Sequence, residues 1–286
     1  MQHNIRFFSR SAGAGLAAIF ALFLVPTAAH AQEKNLLAEP TYADLVAFSD
    51  PAEIVLKAKI RKQATVEPER SPGLTPGHVR LYIEAETQAL ISGAVPIGES
   101  LRYLVDVPLT AKGKAPKLKK ADVLLFARPV AGQPGAIQLV SQTAQLSWSQ
   151  DTEARLRPIL GDLLSEDAPP AVTGVRDALS ISGNLVGESE TQIFLETADK
   201  TPLSISIIRR PGQAPVWGVS WSDIVDQAAR PPAPLSLEWY RLACFLPPVI
   251  ENQAMLTNDP ESRTRTRDDY AFVRQQLGAC ERNLTG

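Results

Sequence analysis

An alternation of apolar and charged residues runs through the chain from residue 54 to residue 148. In "EIVLKAKIR" apolar residues at 54, 56, 58 and 60 alternate with basic ones, and "HVRLYIEAET" repeats the alternation with acidic residues among the polar set. A period of two is typical of a strand with one buried face. Because a basic outer face can pair with an acidic one, we expect the two segments to be neighbouring strands.

Three further segments extend this pattern, namely "SLRYLVDV", "ADVLLFARPV" and "AIQLVSQTAQLSW". Five strands in about 95 residues, with no long helix between them, predict a small antiparallel β-barrel of OB-like type or a sandwich. "SQDTEARLRPILGDLLS" follows, and its spacing of leucine and isoleucine predicts an amphipathic helix that is bent or restarted at Pro158. Before the strands, "TYADLVAFS" predicts a short helix capped by Thr41.

The second half of the chain predicts a different arrangement. "TQIFLE", "LSISIIRR" and "VWGVSW" are strand-like and separated by turn-forming residues, so a β-meander is expected, followed by helices. The overall prediction is therefore an α+β protein with two domains, residues 41–165 and 175–286. A flexible lead covers residues 32–40, and the proline-rich segment 166–174 is the predicted linker.

The first 31 residues have the order of a secretory signal peptide. Arg6 and Arg10 precede an apolar run, and "AHA" places Ala29 and Ala31 at an A-x-A cleavage site. The run is too short for a membrane-spanning helix. We expect cleavage after Ala31 and a periplasmic or secreted protein.

The chain has two cysteines, Cys244 and Cys280. In an oxidising compartment two cysteines most simply form one disulfide, and a C-x-x-C redox motif is missing. Helical spacing places Cys244 on the same face as Leu237 and Tyr240, and Cys280 follows a second apolar helical face. The sequence therefore predicts a Cys244–Cys280 disulfide between two docked helices.

Residues 41–165 resemble the netrin-like, tissue-inhibitor-type OB barrels. The resemblance rests on the order of "YADLVAFS", "EIVLKAKI", "VRLYIEAETQAL", a basic loop and "ADVLLFARP". It implies a closed barrel used as a binding module. The cysteine framework of that family is missing and the expected N-terminal residue is Gln32 where the inhibitors have a cysteine, so no functional residue is carried over. The C-terminal half resembles no family that we recognise.

The expected mature chain contains few candidates for catalytic or metal-binding residues. His78 is its single histidine, so a multi-histidine zinc site is excluded and a Ser/His mechanism would depend on His78. "GVSWS" lacks the last glycine of a nucleophile elbow. Two carboxylate pairs could serve a hydrolase of an envelope polymer, Glu188 with Glu190 and Asp223 with Asp226. The sequence predicts no catalytic residue, no metal ligand and no cofactor.

"KGKAPKLKK" concentrates positive charge in a chain with 29 basic and 31 acidic residues. Such a loop either keeps the protein soluble or attracts an anionic polymer or lipid surface. We expect a non-enzymatic binding or assembly module of the cell envelope, with an envelope protein or an anionic surface as partner and no nucleic acid. The alternative is a carboxylate-dependent hydrolase acting on an envelope polymer. The candidate anion-docking residues are Lys112, Lys114, Lys117, Lys119 and Lys120.

Overall fold

The computed structural model describes residues 39–221 and 229–284. The predicted signal peptide and all but the last two residues of the predicted lead lie outside the described residues. Residues Ala38–Gly286 form one compact unit. The division into domains at 41–165 and 175–286 stays a prediction.

Six strands form the first sheet, in the order β3-β2-β1-β4-β5, with β6 also pairing to β4. Their pairings are antiparallel, and the predicted neighbours β1 and β2 pair along most of their length. Apolar residues of each strand point into a common core, as the alternation predicts. The bounds are β1 Ile54–Thr65, β2 His78–Ser92, β3 Ser100–Pro108, β4 Asp122–Pro129, β5 Ile137–Leu139 and β6 Gln145–Ser147.

The predicted closed barrel is not found, because the sheet stays open between its edge strands β3 and β5. These strands approach each other, but the bridge described there is an isolated one between Arg102 on β3 and Ala136, the residue before β5. The strand β5 has only three residues. A continuous ladder with β3 therefore has too few backbone groups to form.

Two sequence predictions for this half need correction. The segment "AIQLVSQTAQLSW" is not one strand: a turn at Ser141–Ala144 divides it into β5 and β6, and both pair with β4. The helix after β6, α2 (Gln150–Leu163), runs through Pro158 as one element and does not restart there. Pro158 is solvent-exposed, and the buried face of α2 is formed by Leu156, Ile159 and Leu160.

The second sheet has four antiparallel strands in the order β10-β9-β8-β7. The predicted meander corresponds to β8, β9 and β10, whereas β7 was not predicted and begins inside the range assigned to the linker. Both edges of this sheet are partly covered, because Leu256 N donates to Ala178 O at β7 and Val219 N donates to Arg230 O at β10. The bounds are β7 Val172–Ser182, β8 Ser189–Thr197, β9 Leu203–Arg209 and β10 Val216–Ser220.

Three more helices pack with these sheets: α1 (Tyr42–Ser49), α3 (Leu237–Ala243) and α4 (Pro260–Leu277). The predicted cap is confirmed, since Thr41 and Asp44 form a capping box at the start of α1. Buried apolar residues of both sheets and of helices α1 to α4 belong to one core cluster. The structure is thus a mixed α+β fold built mostly from antiparallel sheets.

Candidate functional site

The lysine loop, residues 112–120, joins β3 to β4 and exposes all five of its lysines. Its first part is closed by a turn in which Thr110 N and Thr110 Oγ1 both donate to Lys114 O, at 2.9 Å each. Gly113 N donates back to Thr110 O at 2.8 Å. The backbone of the loop is therefore ordered although its charged side chains are in solvent.

The second part of the lysine loop is fixed to β1. The side chain of Gln63 donates to Pro116 O at 2.8 Å and accepts from Leu118 N at 2.6 Å. Lys120 N donates to Ile60 O at 2.8 Å, and the side chain of Leu118 packs against the core. These bonds hold the loop against the first sheet, so the lysines project from a fixed base.

The charges of β1 are balanced by acidic neighbours, whereas those of the lysine loop are not. Lys62 lies 2.9 Å from Glu84 and Arg61 is paired with Glu86, as the predicted match of basic and acidic strands requires. Within residues 39–221 and 229–284, no ion pair joins a lysine of the loop to an acid. Five ammonium groups in nine residues therefore produce a local positive field on a chain whose net charge is −2.

An open cavity of about 320 Å³ lies at the β3–β5 edge of the first sheet. Its walls come from the loop between β2 and β3 and from the loop between β4 and β5. Apolar and polar atoms both contribute to the wall surface, with the apolar part slightly larger, and no carboxylate is among the lining residues. The apolar wall residues include Ile97, Leu101, Pro129, Val130 and Ile137.

The carboxylate pair Glu188 and Glu190 does not line this cavity. The side chain of Glu188 accepts hydrogen bonds from the backbone N–H groups of Asn184 and Leu185, at 3.1 and 3.2 Å, and so closes the turn between β7 and β8. Glu190 is solvent-exposed and accepts a bond from Gln192. Both residues therefore have local roles on a hairpin surface.

The remaining candidates for catalysis or metal binding do not form a site among the described residues. His78 opens β2, and its Nδ1 lies 3.4 Å from Pro76 O in an exposed setting. Ser222, Asp223 and Asp226 lie outside the described residues. In the described part of the chain, no group of three or more histidine, cysteine or acidic residues is arranged to hold a metal ion.

Cys244 and Cys280 form the predicted disulfide, with Cα atoms 5.0 Å apart. Cys244 follows the last turn of α3, and Cys280 lies three residues beyond the end of α4. The bond therefore ties the end of α3 to the C-terminal strap, residues 278–284.

The C-terminal strap contacts the N-terminal end of α1. Thr41 Oγ1 donates to Glu281 O at 2.9 Å. The carboxylate of Asp44 accepts from Asn283 N at 3.0 Å and from Leu284 N at 3.1 Å. The first and last described parts of the chain are thus joined by hydrogen bonds to a buried carboxylate.

Two buried polar groups were missed by the sequence reasoning. Arg80 on β2 binds both carboxylate oxygens of Asp106 on β3, at 2.7 and 2.8 Å, and this contact raises the pKa of the guanidinium. Asp269 on α4 is fully buried, where it accepts from Arg209 at 2.5 Å and from Thr191. Alternation had assigned Arg80 to a solvent face, and only the strand register brings it opposite Asp106.

Comparisons with known protein families and with characterised proteins find no match for the chain. None of the helices between residues 39 and 221 or between 229 and 284 has the length and apolar character needed to span a bilayer. The candidate site therefore rests on the geometry of the lysine loop.

Proposed function

We propose that the protein is a non-enzymatic binding module of the cell envelope, periplasmic or secreted after cleavage following Ala31, that docks on anionic groups through the lysine loop. The observation that carries this proposal is the exposure of five lysines on a fixed loop with no acidic partner among the described residues. An unbalanced cluster of cations attracts phosphate or carboxylate groups of a polymer or a lipid surface.

The fixed base of the loop supports this role. Its backbone is bonded to Gln63, Ile60 and Thr110, so binding does not require the loop to be ordered first. Lysine presents a compact point charge and not a planar fork. The loop therefore suits a surface of high charge density more than a single small ligand of defined shape.

The proposed compartment is supported by two features. The N-terminal pattern of basic residues, an apolar run and an A-x-A site is that of an exported chain. The Cys244–Cys280 disulfide is a bond that persists in oxidising compartments. N-terminal sequencing of the exported protein should give Gln32, and a mature protein that begins with Met1 would refute the export.

Co-sedimentation with vesicles tests the docking. Vesicles of phosphatidylcholine with phosphatidylglycerol should bind the protein, vesicles of phosphatidylcholine alone should not, and salt should release the bound protein. Each lysine near an anionic surface contributes about 1 kcal/mol, so a single Lys→Ser change should weaken binding roughly five-fold. An acidic polysaccharide, tested in parallel, distinguishes a polymer from a lipid as the source of the anionic groups.

Two variants of the lysine loop make the test specific. Replacing all five lysines with serine should abolish binding, whereas replacing them with arginine keeps the charge and should retain binding. No core side chain changes in either variant, and circular dichroism checks that both are folded. The proposal is wrong if the wild-type protein binds neither the lipid nor the polymer, or if the serine variant binds as well as wild type.

The alternative, a carboxylate-dependent hydrolase, gains no support from Glu188 and Glu190. Glu188 is engaged in its own turn and Glu190 lies on an open surface. Glycoside hydrolysis needs two carboxyl groups on opposite sides of a bound sugar. The docking proposal is therefore the one that the geometry favours.

A further inference from the structure

The turn between β7 and β8 presents aliphatic side chains to solvent. We call residues 183–188 the hairpin tip. The side chain of Val186 is 99% exposed and that of Leu185 is 63% exposed, and Ile181 at the end of β7 is 61% exposed. Turns of this length are normally polar, and these three side chains contribute little to the core of their own chain.

The hairpin tip is ordered, so this exposure does not result from fraying. Gly183 N donates to Glu188 O at 2.8 Å, and the side chain of Glu188 accepts from Asn184 N and Leu185 N. Gly187 has a φ of 84°, which a glycine adopts without strain. The turn therefore holds Leu185 and Val186 in a fixed, convex arrangement.

The same chain carries a concave, partly apolar site at the β3–β5 edge. Its volume of about 320 Å³ is at the lower end of the range for ligand pockets, about 300–1,000 Å³. Ile97, Val130 and Ile137 are among its walls. A pair of aliphatic side chains is small enough for such a site and can contact its apolar part.

The charges beside the two surfaces are complementary. Glu188 and Glu190 lie at and beside the hairpin tip, in a segment without a basic residue from 183 to 190. Arg209 on β9 lies opposite Ser189, but its guanidinium is paired with the buried Asp269. Arg102 and Arg128 flank the cavity walls, and both are exposed. The two wall segments, residues 96–102 and 128–137, contain one acidic residue, Glu99. Opposite charges at the rim favour one orientation of docking.

From these observations we infer that the hairpin tip of one copy of this chain inserts into the cavity of a second copy. We take the contact to be heterologous, with one tip in one cavity, so that each pair keeps one free tip and one free cavity. Association therefore continues into rings or short chains. The small contact area predicts weak, concentration-dependent association, and this inference does not depend on the lysine loop.

Sedimentation equilibrium over a range of protein concentrations provides the first test. The mean mass of the wild-type protein should rise above that of the monomer as concentration increases. The tip variant Leu185→Ser/Val186→Ser and the cavity variant Ile97→Asp should both stay monomeric. Matched controls are Val249→Ser/Leu256→Ser, which removes two other exposed aliphatic side chains, and Val95→Asp, which adds an acid to the same loop outside the cavity. Both controls should associate like wild type.

Mixing the two monomeric variants gives the decisive result. The tip variant keeps an intact cavity and the cavity variant keeps an intact tip, so the mixture should form dimers and nothing larger. Circular dichroism of each variant checks the fold. The inference is overturned if wild type stays monomeric, if the tip variant associates like wild type, or if the mixture stays monomeric. Binding of monomeric wild type to phosphatidylcholine vesicles through the tip would identify a lipid as the occupant and would also overturn it.

Discussion

Removing the disulfide should destabilise the protein by an amount that follows from the loop it closes. Cys244 and Cys280 are 36 residues apart in sequence, and the closed loop contains all of α4. In the chain-entropy model a loop of this length stabilises the folded state by about 4 kcal/mol, because the cross-link restricts the unfolded chain. Cys244→Ser/Cys280→Ser should therefore lower the free energy of unfolding by about that amount.

The native fold should survive this change. The C-terminal strap keeps its hydrogen bonds to Thr41 and Asp44, and Trp239 Nε1 still donates to Leu277 O at 2.8 Å. Typical domains have a total stability of about 5–15 kcal/mol, so a loss of about 4 kcal/mol leaves most such proteins folded. The cost should appear as a lower unfolding midpoint and not as loss of secondary structure.

Urea unfolding followed by tryptophan fluorescence measures the effect. The midpoint should fall and the m-value should rise slightly, because an unfolded chain without the cross-link exposes more surface. Reduction of the wild-type protein by a dithiol should produce a similar loss, and the double alanine variant controls for the added hydroxyl groups. A loss below about 1 kcal/mol in all three samples would refute the loop-closure reasoning.

Two further predictions concern buried polar groups. Arg80→Met leaves Asp106 buried without its partner, so chemical denaturation should show a loss of about 3–5 kcal/mol in the free energy of unfolding. Adding Asp106→Leu should restore part of that loss. An unchanged unfolding midpoint for Arg80→Met would contradict this prediction. Burial, with a smaller contribution from Asp162, raises the pKa of Tyr42 to about 12 from 10.0. Because the unfolded chain ionises first, the stability that Tyr42 contributes is complete below pH 10 and is lost as the pH rises to about 12. Tyr42→Phe should reduce the alkaline loss of stability, and equal alkaline loss in both proteins would show that Tyr42 is not responsible.

Local periodicity predicted the positions of individual strands correctly more often than it predicted the number of strands or whether the first sheet closes into a barrel. The alternation in β1 and β2 identified both strands and their pairing, because one face of each is buried. The same rule failed for β7, where Gly174, Arg176 and Asp177 interrupt the apolar pattern and two register shifts occur. A strand at the edge of a sheet, with bulges, has no strict alternation to detect.

Closure of the first sheet depended on a property that local patterns do not contain. Whether β3 and β5 form a continuous ladder is decided by the length of β5, and that length is set by the turn at Ser141–Ala144. The sequence "LVSQTAQ" contains neither glycine nor proline, so composition did not mark the turn. The predicted barrel thus failed at this four-residue turn, whereas the predicted pairing of β1 with β2 was correct.

The candidate site was predicted to the extent that it depends on local charge. The cluster of five lysines in nine residues can be read directly from the sequence, and their exposure follows from the cost of burying ammonium groups. The hairpin tip and the cavity were not predicted, because solvent exposure of the tip and the shape of the cavity are properties of the folded chain and not of a local sequence pattern. "GNLVGES" contains the same leucine and valine that a buried turn would contain.

The ends of the described chain are linked by groups that sequence reasoning treats as unrelated. No role was predicted for Asp44, yet its carboxylate completes the capping box of α1 and also accepts from Asn283 and Leu284, far away in sequence. Arg241 on α3 makes a comparable link, since it binds both carboxylate oxygens of Asp50 at 2.6 and 2.9 Å. Because Asp44 lies in α1 and Asp50 is its C-cap, these links bind the eight-residue helix to both the C-terminal strap and α3. A helix that short is marginal in isolation, so its stability must come from these partners as much as from its own cap.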